Sequence, residues 1–150
     1  MGAPGLHESL GRLRRGSLFE VVAVLVLFLA LDPFLFLLAI GLSVLFAVIG
    51  LFYMYGGFSG LRPYVGGAGL GRVGAILMVI PFLDIVGVIL TGIAIYSVGS
   101  KFDSGTTKIG GILTAIVVTA FIGFALAYVG LGEIMGKVGQ QQQQPPASPS

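Results

Sequence analysis

The chain has no cysteine, no tryptophan and no asparagine, and its 150 residues contain a single histidine, His7. Without cysteine it can form no disulfide, no thiolate metal site and no thiol nucleophile. Without asparagine it has no N-glycosylation acceptor. The scarcity of these thermolabile residues also fits a heat-loving source. His7, alone in a polar leader, reads as solvated. Charge is the most telling shortage. Charged residues are 9% of the chain, and Pro33 to Leu61 carries none. A water-soluble surface needs roughly a quarter. With 56% hydrophobic residues and a mean hydropathy of +1.05, most of the outside must face lipid. The net charge of +2 comes from cations too sparse for a nucleic-acid surface.

The apolar sequence divides into segments. Met1–Gly16 is a basic leader, in which Leu6, Leu10 and Leu13 recur at helical spacing among Arg12, Arg14 and Arg15. It suits either the headgroup surface or the positive flank of a first span. That span runs from about Ser17 to Leu31. Phe28 and Ala30 do not make a small-x-small cleavage site, so the span is expected to be retained rather than removed as a signal peptide. Asp32-Pro33 ends it. A second span follows from Pro33 to Tyr55, and a glycine-rich connector from Gly56 to Gly71. Arg72–Gly99 is long enough for one helix but is interrupted at Pro81 and Asp84. A polar turn at Lys101–Lys108 leads to a last span, Lys108–Leu131. Residues 17–136 form the transmembrane domain of this reading, and 137–150 a disordered Gln/Pro/Ser tail.

The fold class expected is all-α integral membrane, a bundle of four transmembrane helices. The alternative is five, with a short or re-entrant hairpin broken at Pro81–Asp84. The basic flanks place the amino terminus in the cytoplasm in both cases. Four spans leave Lys101 and Lys108 outside; the alternative leaves only Lys137 there. A weak internal repeat aligns Arg72–Leu77 with Lys108–Leu113, Ile80 with Ile116, Gly87 with Gly123 and Leu90 with Leu126. Because the second copy reads as unbroken, the repeat favours a single helix over Arg72–Gly99.

Small residues make the strongest pattern. Gly111, Ala115, Thr119, Gly123 and Ala127 fall at every fourth position, as do Ala39, Ser43 and Ala47. Such ridges let helices approach closely in lipid, so both are expected to face protein. Asp84, with Arg72 near it, is the candidate ion or proton site, since a mid-membrane carboxylate is costly and often functional. The structural reading of Asp84 is an interfacial turn after Pro81. Glu20 is expected to snorkel to the interface used by Arg15. Gly69-Leu70-Gly71-Arg72-Val73-Gly74 matches G-x-G-x-x-G, but no strand precedes it, so no nucleotide is expected. A lipid phosphate held by Arg62 and Arg72 suits the basic connector better. No catalytic constellation, metal set or cofactor motif is legible.

Leu10-Gly11-Arg12-Leu13-Arg14-Arg15-Gly16-Ser17-Leu18 resembles the opening of a family of archaeal membrane proteins, domain of unknown function 973. Tyr96–Phe102, Lys108–Ile116 and Tyr128–Ile134 resemble its carboxyl-terminal end. The likeness runs from about Leu10 to Ile134, although members tend to carry more apolar sequence ahead of Tyr96. It implies a multi-pass membrane location and an archaeal source, and it implies no known activity. The function expected is therefore that of a non-enzymatic structural or accessory subunit. Its partners are the lipid bilayer and either a second copy or another membrane protein. The alternative is a small transporter or channel component using Asp84.

Overall fold

A computed structural model describes residues 3–80 and 82–143. Pro81, expected as a helix breaker, and residues 144–150 of the tail expected to be disordered from 137 lie outside the described residues; residues 137–143 of that expected tail instead continue a helix that ends at Gln143. Among the described residues there are six α-helices and no strand. They are α1 (Ala3–Leu27), α2 (Phe36–Leu61), α3 (Ala68–Leu77), α4 (Asp84–Lys101), α5 (Gly105–Ala115) and α6 (Ala120–Gln143), with 3-10 turns at Phe28–Leu31 and Val117–Thr119. Three segments, Phe36–Leu61, Asp84–Lys101 and Ala120–Gln141, are long and apolar enough to cross a membrane.

The expected count of four helices is not matched, because two of the expected spans fold back on themselves. Arg72–Gly99 is divided between α3 and α4. Turn-type bonds at Val79 N to Ile76 O and Leu83 N to Ile80 O replace the helical ladder, and Phe82 adopts φ 72°. Lys108–Leu131, expected as unbroken, is divided between α5 and α6. The cause is a run of four β-branched residues, Ile116-Val117-Val118-Thr119, which are poor helix formers. Ile116 is extended (ψ 96°), and Thr119 Oγ1 donates to the Leu113 carbonyl at 2.8 Å, satisfying an acceptor at the helix end. The internal repeat is thus one of supersecondary structure: short helix, break, long helix, twice.

Each helix runs antiparallel to the next, and α6 packs back on α1 to close a ring. Glycine makes the seams. A methyl group at Gly74 would meet the backbone of Gly87 and Thr91; one at Gly110 would meet that of Gly123 and Ala127. These are equivalent positions of the two repeats, so both hairpins close on the same contact. Gly92 and Gly111 meet in the same way between α4 and α5. The α4–α5 turn is tight. Asp103, at φ 48°, lets Ser104 N reach Gly99 O at 2.9 Å, and the Ser104 hydroxyl then caps α5 by accepting from Thr107 N.

The side-chain core lies toward the end where the chain's described part starts and finishes. Leu10 and Leu13 of α1, Met54, Phe58 and Leu61 of α2, and Leu131 and Ile134 of α6 are fully buried. The leader expected as a separate piece therefore forms the first turns of α1. The glycine-rich connector is also shorter than expected. Gly56, Gly57 and Gly60 belong to α2, where a methyl group at Gly57 would collide with the Leu13 backbone. Only residues 62–67 link α2 to α3.

Candidate functional site

Antiparallel order gathers all the chain's cations. Arg12, Arg14 and Arg15 lie toward the start of α1, Arg62 caps the end of α2, and Arg72 is in the first half of α3. Lys101 ends α4, Lys108 begins α5 and Lys137 lies toward the end of α6. All of these helix ends meet at one end of the ring. The opposite end carries Asp32, whose carboxylate accepts from Phe34 N at 2.8 Å, and Asp84. Lys101 and Lys108, expected on the far side, stand with the rest because the segments before and after them are hairpins.

At the basic end, Arg14 stacks over Tyr128 at 4.4 Å and donates to its carbonyl, tying α1 to α6. Arg12 pairs with Glu8 across one turn. Lys108 hydrogen-bonds Asp103 at 3.0 Å and holds that exposed carboxyl below its ordinary value of 3.8. His7, Glu8, Arg12, Arg15 and Tyr53 edge an open cleft of about 410 Å³.

The structure separates Asp84 from Arg72. Asp84 is exposed in the first turn of α4, whose amino-terminal dipole favours a carboxylate. Arg72 lies toward the other end of the same hairpin. It donates to the Tyr55 hydroxyl at 2.6 Å and stacks 4.9 Å over that ring. Arg62 is exposed. The G-x-G-x-x-G run lies within helix α3, where its amides serve the helix and form no phosphate loop.

The two small-residue ridges also occupy defined places. Gly111 and Ala115 face α4, whereas Gly123 packs on Thr114 of α5 and Ala127 on Gly110. The break at 116–119 thus splits the ridge expected on one helix and folds its halves onto different neighbours. In α2, Ala39 is buried and Ser43 donates to the Ala23 carbonyl of α1 at 2.8 Å; Ala47 is half-buried.

Glu20 is the residue that sequence reasoning misplaced. It does not snorkel: it is 8% exposed, and its Oε1 has no hydrogen-bond partner among the described residues. The α1–α2 crossing explains this. Gly16, Glu20 and Ala23 share one face of α1 at helical spacing, and that face lies on α2. A methyl group at Gly50 would stand 2.8 Å from Glu20 Oε1, so the glycine makes room for the carboxyl. The signal was the company Glu20 keeps: small residues one turn before and after it.

Between α2 and α3 lies an apolar groove of about 550 Å³. One wall is Val48, Leu51, Phe52 and Tyr55; the other is Ala75, Ile76, Val79 and Ile80. The first set recurs at helical spacing and is one face of α2; the second joins the last turns of α3, at Ala75 and Ile76, to the turn that follows it, at Val79 and Ile80. Arg72 stands one turn before Ile76, toward the basic end.

No curated protein and no solved structure matches the chain. The family described as protein of unknown function (DUF973) matches residues 73–150, just over half of the chain. The matched part holds nearly all of both helical repeats, α3–α4 and α5–α6, while the Leu10–Leu18 likeness lies outside it. The chain belongs to the DUF973 family.

Proposed function

We propose that this is a multi-pass protein of the cell membrane that acts without enzymatic chemistry, as a structural or accessory subunit. The observation that carries the reading is the collection of all eight lysines and arginines at one end of an antiparallel ring. Cytoplasmic loops carry such an excess, so that end and the amino terminus lie in the cytoplasm. The α1–α2 hairpin crosses the bilayer. Helices α3 and α5, of 10 and 11 residues, are about 15 and 17 Å long against a hydrocarbon core of about 30 Å. The short arms α3 and α5 cannot cross alone, so the hairpins α3–α4 and α5–α6 enter from the cytoplasmic side and turn back; α4 and α6 are the longer return arms, and Val79, Phe82, Ile116 and Val117 at the breaks are exposed. This keeps the re-entrant feature foreseen at Pro81–Asp84 and adds a second.

The cysteine-free sequence makes the orientation testable with single-cysteine variants. Ser100→Cys should react with a membrane-impermeant maleimide from the cytoplasmic face, and Pro33→Cys from the outer face. Labelling of Ser100→Cys from outside would restore four single crossings and remove this arrangement. The small-residue faces serve the chain's own packing, which leaves the bare amino-terminal half of α2 to join a second copy or another membrane protein. A photocrosslinker at Leu37 should capture protein; capture of lipid alone would overturn the accessory role.

The buried, unpartnered carboxyl of Glu20 favours a second reading, a small transporter or channel component. An intramembrane carboxyl is where a proton or cation would bind. In this reading the role proposed for Asp84 passes to Glu20. Proton flux in reconstituted vesicles that disappears in Glu20→Gln and persists in Asp84→Asn would support it. Equal flux in all three proteins, or none in the wild type, would remove it.

A further inference from the structure

We propose that the α2–α3 groove is a binding site for one anionic phospholipid, with an acyl chain between its two walls and the headgroup phosphate at Arg72. Three observations meet here. The groove walls are apolar along their whole length, and its volume of about 550 Å³ falls in the range of built ligand sites. Its outer sides are open to the membrane, because Phe52, Ile76 and Val79 are exposed. Its mouth is basic. Arg72 is half-buried, and it takes no part in either ion pair found among the described residues.

The Tyr55 hydroxyl orients Arg72 but leaves its charge uncompensated, since tyrosine supplies no anion. A guanidinium has five donors in a planar fork. One is used by Tyr55, and the remainder can take a phosphate. Arg62, at the cap of α2, stands about 10 Å further toward the basic end and extends the same field toward the headgroup layer. The groove runs the other way, from Tyr55 and Ala75 toward Val48 and Ile80 deep in the apolar zone. Charge at the interfacial end and an apolar channel leading inward is the polarity of a phospholipid. A zwitterionic lipid would fill the channel equally well but would bring its own cation to Arg72.

The site rests on the membrane placement proposed above, but its test reads lipid identity, so either can fail alone. Protein purified in mild detergent is offered phosphatidylglycerol and phosphatidylcholine of matched chains, and retained lipid is measured by native mass spectrometry. The wild type should keep the anionic lipid about fivefold better. Arg72→Gln should abolish that preference while total occupancy persists, and Arg72→Lys should keep it. Val79→Trp, which fills an exposed wall, should lower retention of both lipids. Inorganic phosphate in excess should not displace the lipid; displacement would assign the site to a free anion and overturn the proposal. The wild type also provides a test that needs no variant. Phosphatidylglycerol with a photoreactive acyl chain should label peptides containing Val48–Tyr55 or Ala75–Ile80. Equal retention of the two lipids by the wild type, or labelling confined to other helices, would overturn the proposal.

Discussion

The projecting half of α2 and the α3–α6 repeats are built on different principles. Val48 and Leu51 of α2 face Val79 and Ile80 near the α3–α4 turn, and from Val48 back to Phe36 α2 runs on for about 18 Å. In that projecting part Ala39 is the only buried residue of α2, and Phe34 and Leu37, near its start, are 96% and 82% exposed. Large apolar side chains cover it, and lipid can solvate them. The repeats do the reverse along their whole length: their helices meet backbone to backbone at Gly74, Gly87, Gly92, Gly110, Gly111 and Gly123, as α1 and α2 do only nearer the basic end, at Gly16, Gly50 and Gly57. Hydrophobic exclusion cannot drive helix association where the solvent is itself hydrocarbon, so close van der Waals packing must do so. The arms of each repeat are thereby held together right up to breaks whose own residues, among them Val79, Phe82, Ile116 and Val117, are exposed. The projecting half of α2 has no such seam and stays one continuous helix.

If this contrast is right, adding bulk should harm one region and spare the other. Gly123→Leu drives a side chain into the Thr114 backbone and should destabilise the protein by about 3 kcal/mol or more, read as the unfolding midpoint in mixed detergent. Gly41→Leu meets nothing within 4 Å and should be neutral or slightly stabilising. Equal loss in the two variants would break the comparison. The seam of the projecting hairpin is tested by Glu20→Met, of similar size. Removing an unpaired polar atom from that interface should raise stability by about 1–3 kcal/mol in the same assay. A loss would mean that Glu20 has a partner in the membrane.

Thr119→Val keeps the β-branched shape at the second break but removes the hydroxyl that bonds Leu113 O and Ile116 O. It should cost about 1 kcal/mol. The smallest effect belongs to the exposed Asp103–Lys108 pair. Asp103 is held below its ordinary value in the folded chain, so its contribution is present above pH 3.8 and fades as pH falls through the lower folded value. Asp103→Asn should flatten that acid limb slightly. A change at neutral pH larger than the acid effect would point to the turn geometry at φ 48° instead.

Several of these features are legible in the sequence. The β-branched run Ile116–Thr119 stands in plain view, yet the smoothness of its apolar pattern hid it. In lipid-facing sequence, hydropathy reports the solvent and says little about continuity. The aligned glycines of the repeat did contain the hairpin: Gly87 and Gly123 are equivalent because each lies opposite the last turn of its own short helix. The sequence sets Arg72 beside Asp84, whereas the structure gives it Tyr55 as its partner. Glycines 56, 57 and 60 were read as loop because glycine is a poor helix former in water. Packing against Leu13 and Ser9 reverses that preference.

Composition by itself determined the solvent of this chain. A polypeptide with so few charges and such long apolar runs is suited to hydrocarbon, and it forms helices long and apolar enough to cross a membrane. Spacing also determined that small residues would form contact faces, because helical periodicity is a local property. Only the tertiary structure decided which faces meet. It turned two apparent crossings into hairpins, brought Lys101 and Lys108 back to the other cations, enclosed Glu20 and opened the groove beside Arg72. Those outcomes depend on contacts between residues far apart in the chain, and a one-dimensional pattern does not encode which helix ends up beside which.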